Sequence, residues 1–165
     1  MDDLLRYTVL TESPDDLVAA TLNTADALAT CGWQVDNAMH SYTEGSRYKG
    51  IHAWLRTPDI ERVEMQWHSV PSARVKELTT SWYQVERSAT ASDSDRSAAR
   101  EKCVAASAEL TTPAGLDAMT ELGGRPVKVR NYSDSRTAAA RRPAAAADER
   151  QRPAEIHDRA KGISR

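Results

Sequence analysis

Alternation of apolar and polar positions is sharpest between residues 48 and 69. Ile51, Ala53 and Leu55 alternate with His52, Trp54 and Arg56, and further on Val63, Met65 and Trp67 alternate with Glu64, Gln66 and His68. A period of two puts each set on opposite faces of a half-buried sheet. Thr57-Pro58-Asp59 between the runs supplies turn chemistry, with Pro58 fixing φ at the corner, so the pair reads as a hairpin. One face is apolar. The other gathers a carboxylate, an amide, two imidazoles and a guanidinium, and both a functional surface and an ordinary solvated strand face fit that pattern.

The flanking pattern predicts the rest of the domain. Leu4, Leu5, Tyr7 and Val9 suggest a strand over residues 2–10, so close to the start that preceding elements are expected to be missing or dispensable. Ser13-Pro14-Asp15-Asp16 is a helix start, with Ser as N-cap, Pro in the first turn and acids at the positive end of the dipole. Leu17, Val18, Leu22, Ala25, Leu28 and Ala29 follow at helical spacing, and Gly32 ends the helix. A strand is expected at residues 33–35 and a polar loop over 37–47. After the hairpin, a helix over 71–87 carries Val75, Leu78, Trp82 and Val85 as its apolar stripe, and a second, over 95–110, carries Ala99, Cys103, Val104 and Ala106. A short helix from Thr112-Pro113 to Gly123-Gly124 and a last strand at 127–129 complete an α+β pattern: a mixed sheet with a central hairpin, flanked by helices.

Composition changes the picture at one end. Residues 134–165 hold no aromatic, and beyond alanine their only aliphatics are Ile156 and Ile163. Such a segment cannot bury enough apolar surface to offset its ordering entropy, so the reading is a domain over 1–133 and a disordered Ala/Arg/Pro-rich tail over 134–165. The 22 basic and 24 acidic residues give a net charge of −2, which requires neither a nucleic-acid nor a membrane partner. Cys31 and Cys103 suit buried thiols of a reducing compartment. With no apolar run of membrane-spanning length and no signal peptide, the expected location is the cytoplasm, a non-classical export route aside.

Three motifs in order resemble a known family. Tyr48-Lys49-Gly50-Ile51-His52, then Val63-Glu64-Met65-Gln66-Trp67-His68-Ser69, then the segment from Val75 to Arg87, are similar to the Tyr-x-Ser-Leu-His element, the Glu-Val-Gln-Ile-Arg-Thr strand and the following helix of RelA/SpoT-type nucleotide pyrophosphokinases. The resemblance covers about half of the chain. It implies transfer of pyrophosphate from ATP to the 3′-hydroxyl of a purine nucleotide, with magnesium as cofactor, by an alarmone synthetase or a toxin-like relative. Glu64 would be base and metal ligand, Gln66 would orient it, and Asp3, shortly before Arg6, would be the second metal carboxylate, with Asp2 as its competitor. Tyr48 would stack on the acceptor base, and Lys49, His52, Arg56, His68 and Arg6 would serve the nucleotide phosphates. Where the family has Arg, this chain has His68, and Ser81 stands where the family has a histidine before Trp82. Relative to the family, the basic ATP-binding segment upstream of the metal Asp is missing, which makes a non-catalytic purine-nucleotide-binding module the alternative. Oligomeric state is not legible.

Two rival sites are weaker. His40, His52, His68 and Cys31 form no close ligand pairs of the kind zinc sites use. The arginines of the tail are interrupted by Asp148, Glu149, Glu155 and Asp158, unlike a nucleic-acid-binding arm.

Overall fold

Six strands build one mixed sheet, in the order β1-β4-β3-β2-β6-β5. They are β1 (Arg6–Thr11), β2 (Gln34–His40), β3 (Ile51–Arg56), β4 (Val63–Ser69), β5 (Glu121–Leu122) and β6 (Arg125–Val129), with helices α1 (Leu17–Thr30), α2 (Val70–Arg87) and α3 (Asp93–Ala108). This computed structural model describes residues 5–60 and 62–133. The tail expected over 134–165 and the candidate Asp3 lie outside the described residues. The α+β class is the one the pattern implied.

Local chemistry explains the boundaries. The Ser13 side chain accepts from the Asp15 amide at 3.2 Å, and Pro14 opens a 3₁₀ turn that runs into α1. Gly32, at φ 83°, ends α1 by donating to the Ala29 carbonyl at 3.0 Å while Trp33 donates to Leu28 at 3.1 Å; a left-handed residue there is natural for glycine. The β3–β4 turn is closed by Thr57, whose hydroxyl accepts from the amides of Asp59 and Ile60. Strand pairing sets Ile51 against Trp67, His52 against Gln66 and Trp54 against Glu64.

The apolar face of β3 and β4 lies in the core with Leu17 and Ala25 of α1, Val35 and Ala38 of β2, and Leu116, Met119 and Leu122. All seven residues of β4 are buried. That strand sits between parallel β1 and antiparallel β3, with α1 over one face and α2 over the other. The polar face of the hairpin is thus an interior surface, and the solvated-face reading fails: His52, Glu64, Gln66 and His68 are all buried.

Other expectations shift in the same way. Residues 37–40 are strand rather than loop, because β2 continues past a bulge between Val35 and Asn37 to pair with β3 on one side and β6 on the other. On α2 the expected stripe is displaced. Leu78 (58% exposed) and Val85 face outwards, Trp82 is half-buried, and the buried positions are Ser72, Thr79 and Glu86. One residue is ~100° on a helix, so a neighbouring polar stripe turns inward as Leu78 turns out. Ala99, Cys103 and Ser107 of α3 face α2, with Val104 half-buried. The helix expected after Pro113 is a single 3₁₀ turn, Leu116–Ala118, before the β5–β6 hairpin. Cys31 is exposed and Cys103 buried, so only the second matches the buried-thiol reading.

Candidate functional site

A cavity of about 370 Å³ opens on the polar face of the hairpin, under α2 and α3. Its size falls in the range of small-molecule sites. Glu64 of β4 and His52 of β3 form one wall. Tyr48, Tyr83 and Tyr132 give it aromatic surface, and Arg6, Arg47 and Lys76 supply cations. Thr79, Thr80 and Cys103 complete the helical side.

Glu64 is the most heavily engaged group. Its Oε2 accepts from Arg6 Nε at 2.7 Å, and its Oε1 accepts from Gln66 Nε2 at 2.9 Å and lies 2.9 Å from His52 Nδ1. Burial by itself would raise the pKa, but the hydrogen bonds from His52, Gln66 and Arg6 outweigh it and hold the carboxyl well below the usual carboxylate range. The contact with Arg6 is a consequence of parallel pairing, which sets Arg6 directly beside Glu64. Gln66 is itself held, since Lys76 Nζ donates to its Oε1 at 2.7 Å. Burial, then the charge of Arg6, pulls the Lys76 ammonium below its ordinary value, with Glu64 and Glu77 opposing.

Arg47 reaches the cavity from the segment before β3. Its Nη1 donates to Glu86 Oε1 at 2.9 Å, and its guanidinium lies 5.2 Å from the Tyr83 ring centre and 5.9 Å from that of Tyr132. Arg100 Nε donates to the same Glu86 oxygen at 3.0 Å, so one buried carboxylate ties the loop, α2 and α3 together. Tyr132 follows β6 and is fixed by neighbours, its amide on Ser46 Oγ and Asn131 on the Glu44 carbonyl.

Five of the residues singled out in the sequence meet here: Arg6, Tyr48, His52, Glu64 and Gln66. Three do not. Lys49 turns away, its Nζ on the Leu110 carbonyl at 3.4 Å. Arg56, at the far end of β3, pairs with Asp36 at 2.7 Å. His68 lies behind Tyr48, fully buried, with Nε2 2.7 Å from the Tyr48 hydroxyl and Nδ1 3.0 Å from Ser72 Oγ. Burial, then the charges of Lys76 and His52, push its pKa down to about 3, so at neutral pH it is no cation for a phosphate. Period two put Arg56 and His68 on the correct face, but it is blind to how far along the strand a cavity reaches.

Arg47, Lys76, Thr79, Thr80, Tyr83 and Tyr132 were missed. Lys76, Thr79, Thr80 and Tyr83 recur at i, i+3, i+4 and i+7, a polar helical stripe that is legible once looked for. Nothing local marks Arg47 or Tyr132. Among the described residues no group of three or more His, Cys, Asp and Glu could hold a metal ion. Both Glu64 oxygens accept from protein donors, and Asp3, the other carboxylate expected to hold magnesium, lies outside the described residues.

Comparison with protein-family models, with curated proteins and with solved structures gives no match.

Proposed function

We propose that this domain binds a purine nucleotide in the 370 Å³ cavity and transfers pyrophosphate from ATP to its 3′-hydroxyl, as the RelA/SpoT-type resemblance implies. The observation that supports this most is an ionised Glu64 held at the wall of a pocket that also offers three tyrosines and three cations. Aromatic rings suit a base, and guanidinium and ammonium groups suit phosphates. In the reaction the 3′-oxygen bonds to the β-phosphorus of ATP, the bond from that phosphorus to the α-phosphate oxygen breaks, AMP leaves, and the hydroxyl proton passes to Glu64. Magnesium arrives with ATP as part of the donor substrate.

Glu64 is a weak base while Arg6, His52 and Gln66 all donate to it. A phosphate that draws Arg6 away removes the shortest of these hydrogen bonds and raises the proton affinity of the carboxylate when the hydroxyl is in place. Base strength is thereby coupled to substrate binding. Both substrates belong to the cytoplasm.

Protein, magnesium and labelled ATP incubated with GDP, GTP, ADP or ATP should yield a 3′-pyrophosphorylated product, and Glu64→Gln should abolish it with the fold intact. Undiminished turnover by that variant would end the mechanism. The pairing of the Glu64 charge with Arg6 inside the protein favours one second reading, a purine-nucleotide-binding module without turnover. It expects calorimetric binding of purine nucleotides and no product. Absence of binding by any of them sinks both.

A further inference from the structure

We infer that His68, with Ser72 and Gly50, is the positioning device for Tyr48: a one-way hydrogen-bond chain locks the tyrosine ring into the wall of the cavity. The role rests on the reading of that cavity as a purine-nucleotide site.

The direction of the chain follows from its far end. The Ser69 carbonyl can only accept, and Ser72 Oγ lies 3.1 Å from it, so the serine hydroxyl donates there. Ser72 Oγ is then an acceptor toward His68 Nδ1, 3.0 Å away, and Nδ1 carries the hydrogen. His68 is fully buried and neutral, so it has one ring proton and Nε2 is bare. The Tyr48 hydroxyl, 2.7 Å from Nε2, donates to it. Burial first, then Tyr132 and Glu64, hold that phenol well above its ordinary value, so its proton is retained. The order is Tyr48 to His68 to Ser72 to the Ser69 carbonyl. Ser69 also caps α2 through its hydroxyl, which anchors the chain at a strand–helix junction.

Two further observations show that the tyrosine is held rather than merely buried. Its ring meets His52, His68 and Tyr132 edge-on, with centroids 5.2, 5.5 and 5.6 Å away. Gly50 leaves the space it needs, since a Cβ there would lie 2.7 Å from the Tyr48 hydroxyl and 2.8 Å from His68 Cε1. A free histidine in water favours the other tautomer, with its proton on Nε2. The chain forces the less common one, which gives it a signature that mere packing would not produce.

The test uses the full chain labelled with ¹⁵N-histidine, with His68→Gln serving to assign the resonance. A long-range ¹H–¹⁵N spectrum at neutral pH should show His68 with a protonated Nδ1 and a bare Nε2. In parallel, GDP affinity is measured by calorimetry for Tyr48→Phe, which keeps the ring and drops the donor, for His68→Leu, and for the double variant. Each single change should weaken binding roughly 2- to 10-fold, the worth of one hydrogen bond, and the double should be no weaker than the worse single, since both break one link. His68→Gln, which keeps an acceptor for the phenol, should bind more tightly than His68→Leu. An Nε2-protonated His68 in a protein that binds GDP, or singles that bind like wild type, overturns the chain. If the wild type binds no purine nucleotide, the reading of the cavity fails, and with it the positioning of Tyr48 for that ligand, whatever the tautomer.

Discussion

Glu86→Ala should be among the most damaging single substitutions in this domain. The carboxylate is 2% exposed and accepts from Arg47 at 2.9 Å and Arg100 at 3.0 Å through one oxygen. Removing it leaves two guanidinium groups facing each other without a counter-charge. Arg47, whose side chain is 10% exposed, meets solvent only through the cavity, whereas Arg100, at 27%, can turn outward. Breaking a buried pair by deleting one partner typically costs ~3–5 kcal/mol, and partial solvent screening of Arg100 places this case near the lower end. A loss of about 3 kcal/mol is a fifth or more of the ~5–15 kcal/mol that holds a domain together. It should lower the melting temperature by on the order of 10 °C. Urea denaturation of wild type, Glu86→Ala, Arg47→Ala and the double variant would measure it, with the second substitution costing far less in the background of the first. A loss under about 1 kcal/mol at unchanged m-value would refute the argument, because it would mean that the triad is solvated.

Gly50→Ala should cost ~1–3 kcal/mol by overpacking, since its Cβ would meet the hydroxyl of a buried tyrosine and the ring of a fully buried histidine; a melting temperature within 1 °C of wild type would contradict this. Stability should also fall on acidification below neutral pH. The folded pKa of His68 is lowered from 6.5 to about 3, so between those values the unfolded chain binds a proton that the native state refuses, and stability declines by up to ~1.4 kcal/mol per pH unit. His40, lowered by burial, adds in the same sense, whereas Glu64, lowered from 4.5, contributes stability that is lost only further into the acid range. His68→Gln should flatten the curve between pH 6.5 and 4.5, and identical slopes in the two proteins would show that His68 is accessible to protons.

Period-two alternation by itself determined the β3–β4 hairpin, its register of faces and the placement of Glu64, Gln66 and His52 on one side. Ser13, Pro14 and Gly32 determined the limits of the first helix, because caps and left-handed glycines act within a turn of their own position. The α+β class followed from the order of those elements. What the polar face meets was decided only in the folded chain. A glutamate, a glutamine and a histidine alternating along a strand read the same whether they face water or the underside of a helix, and here α2 covers them. The same ambiguity displaced the stripe on α2: Val75, Leu78, Trp82 and Val85 are apolar at helical spacing, yet Thr79 is buried with its hydroxyl on the Val75 carbonyl, and Glu86 is buried because Arg47 and Arg100 arrive from elsewhere to satisfy the carboxylate. Arg6 met Glu64 only through parallel pairing of strands 58 residues apart, and Tyr132 reached the cavity only because β6 pairs with β2. Local spacing governs which side chains share a face. Long-range pairing governs which faces meet, and the cavity is made where they do.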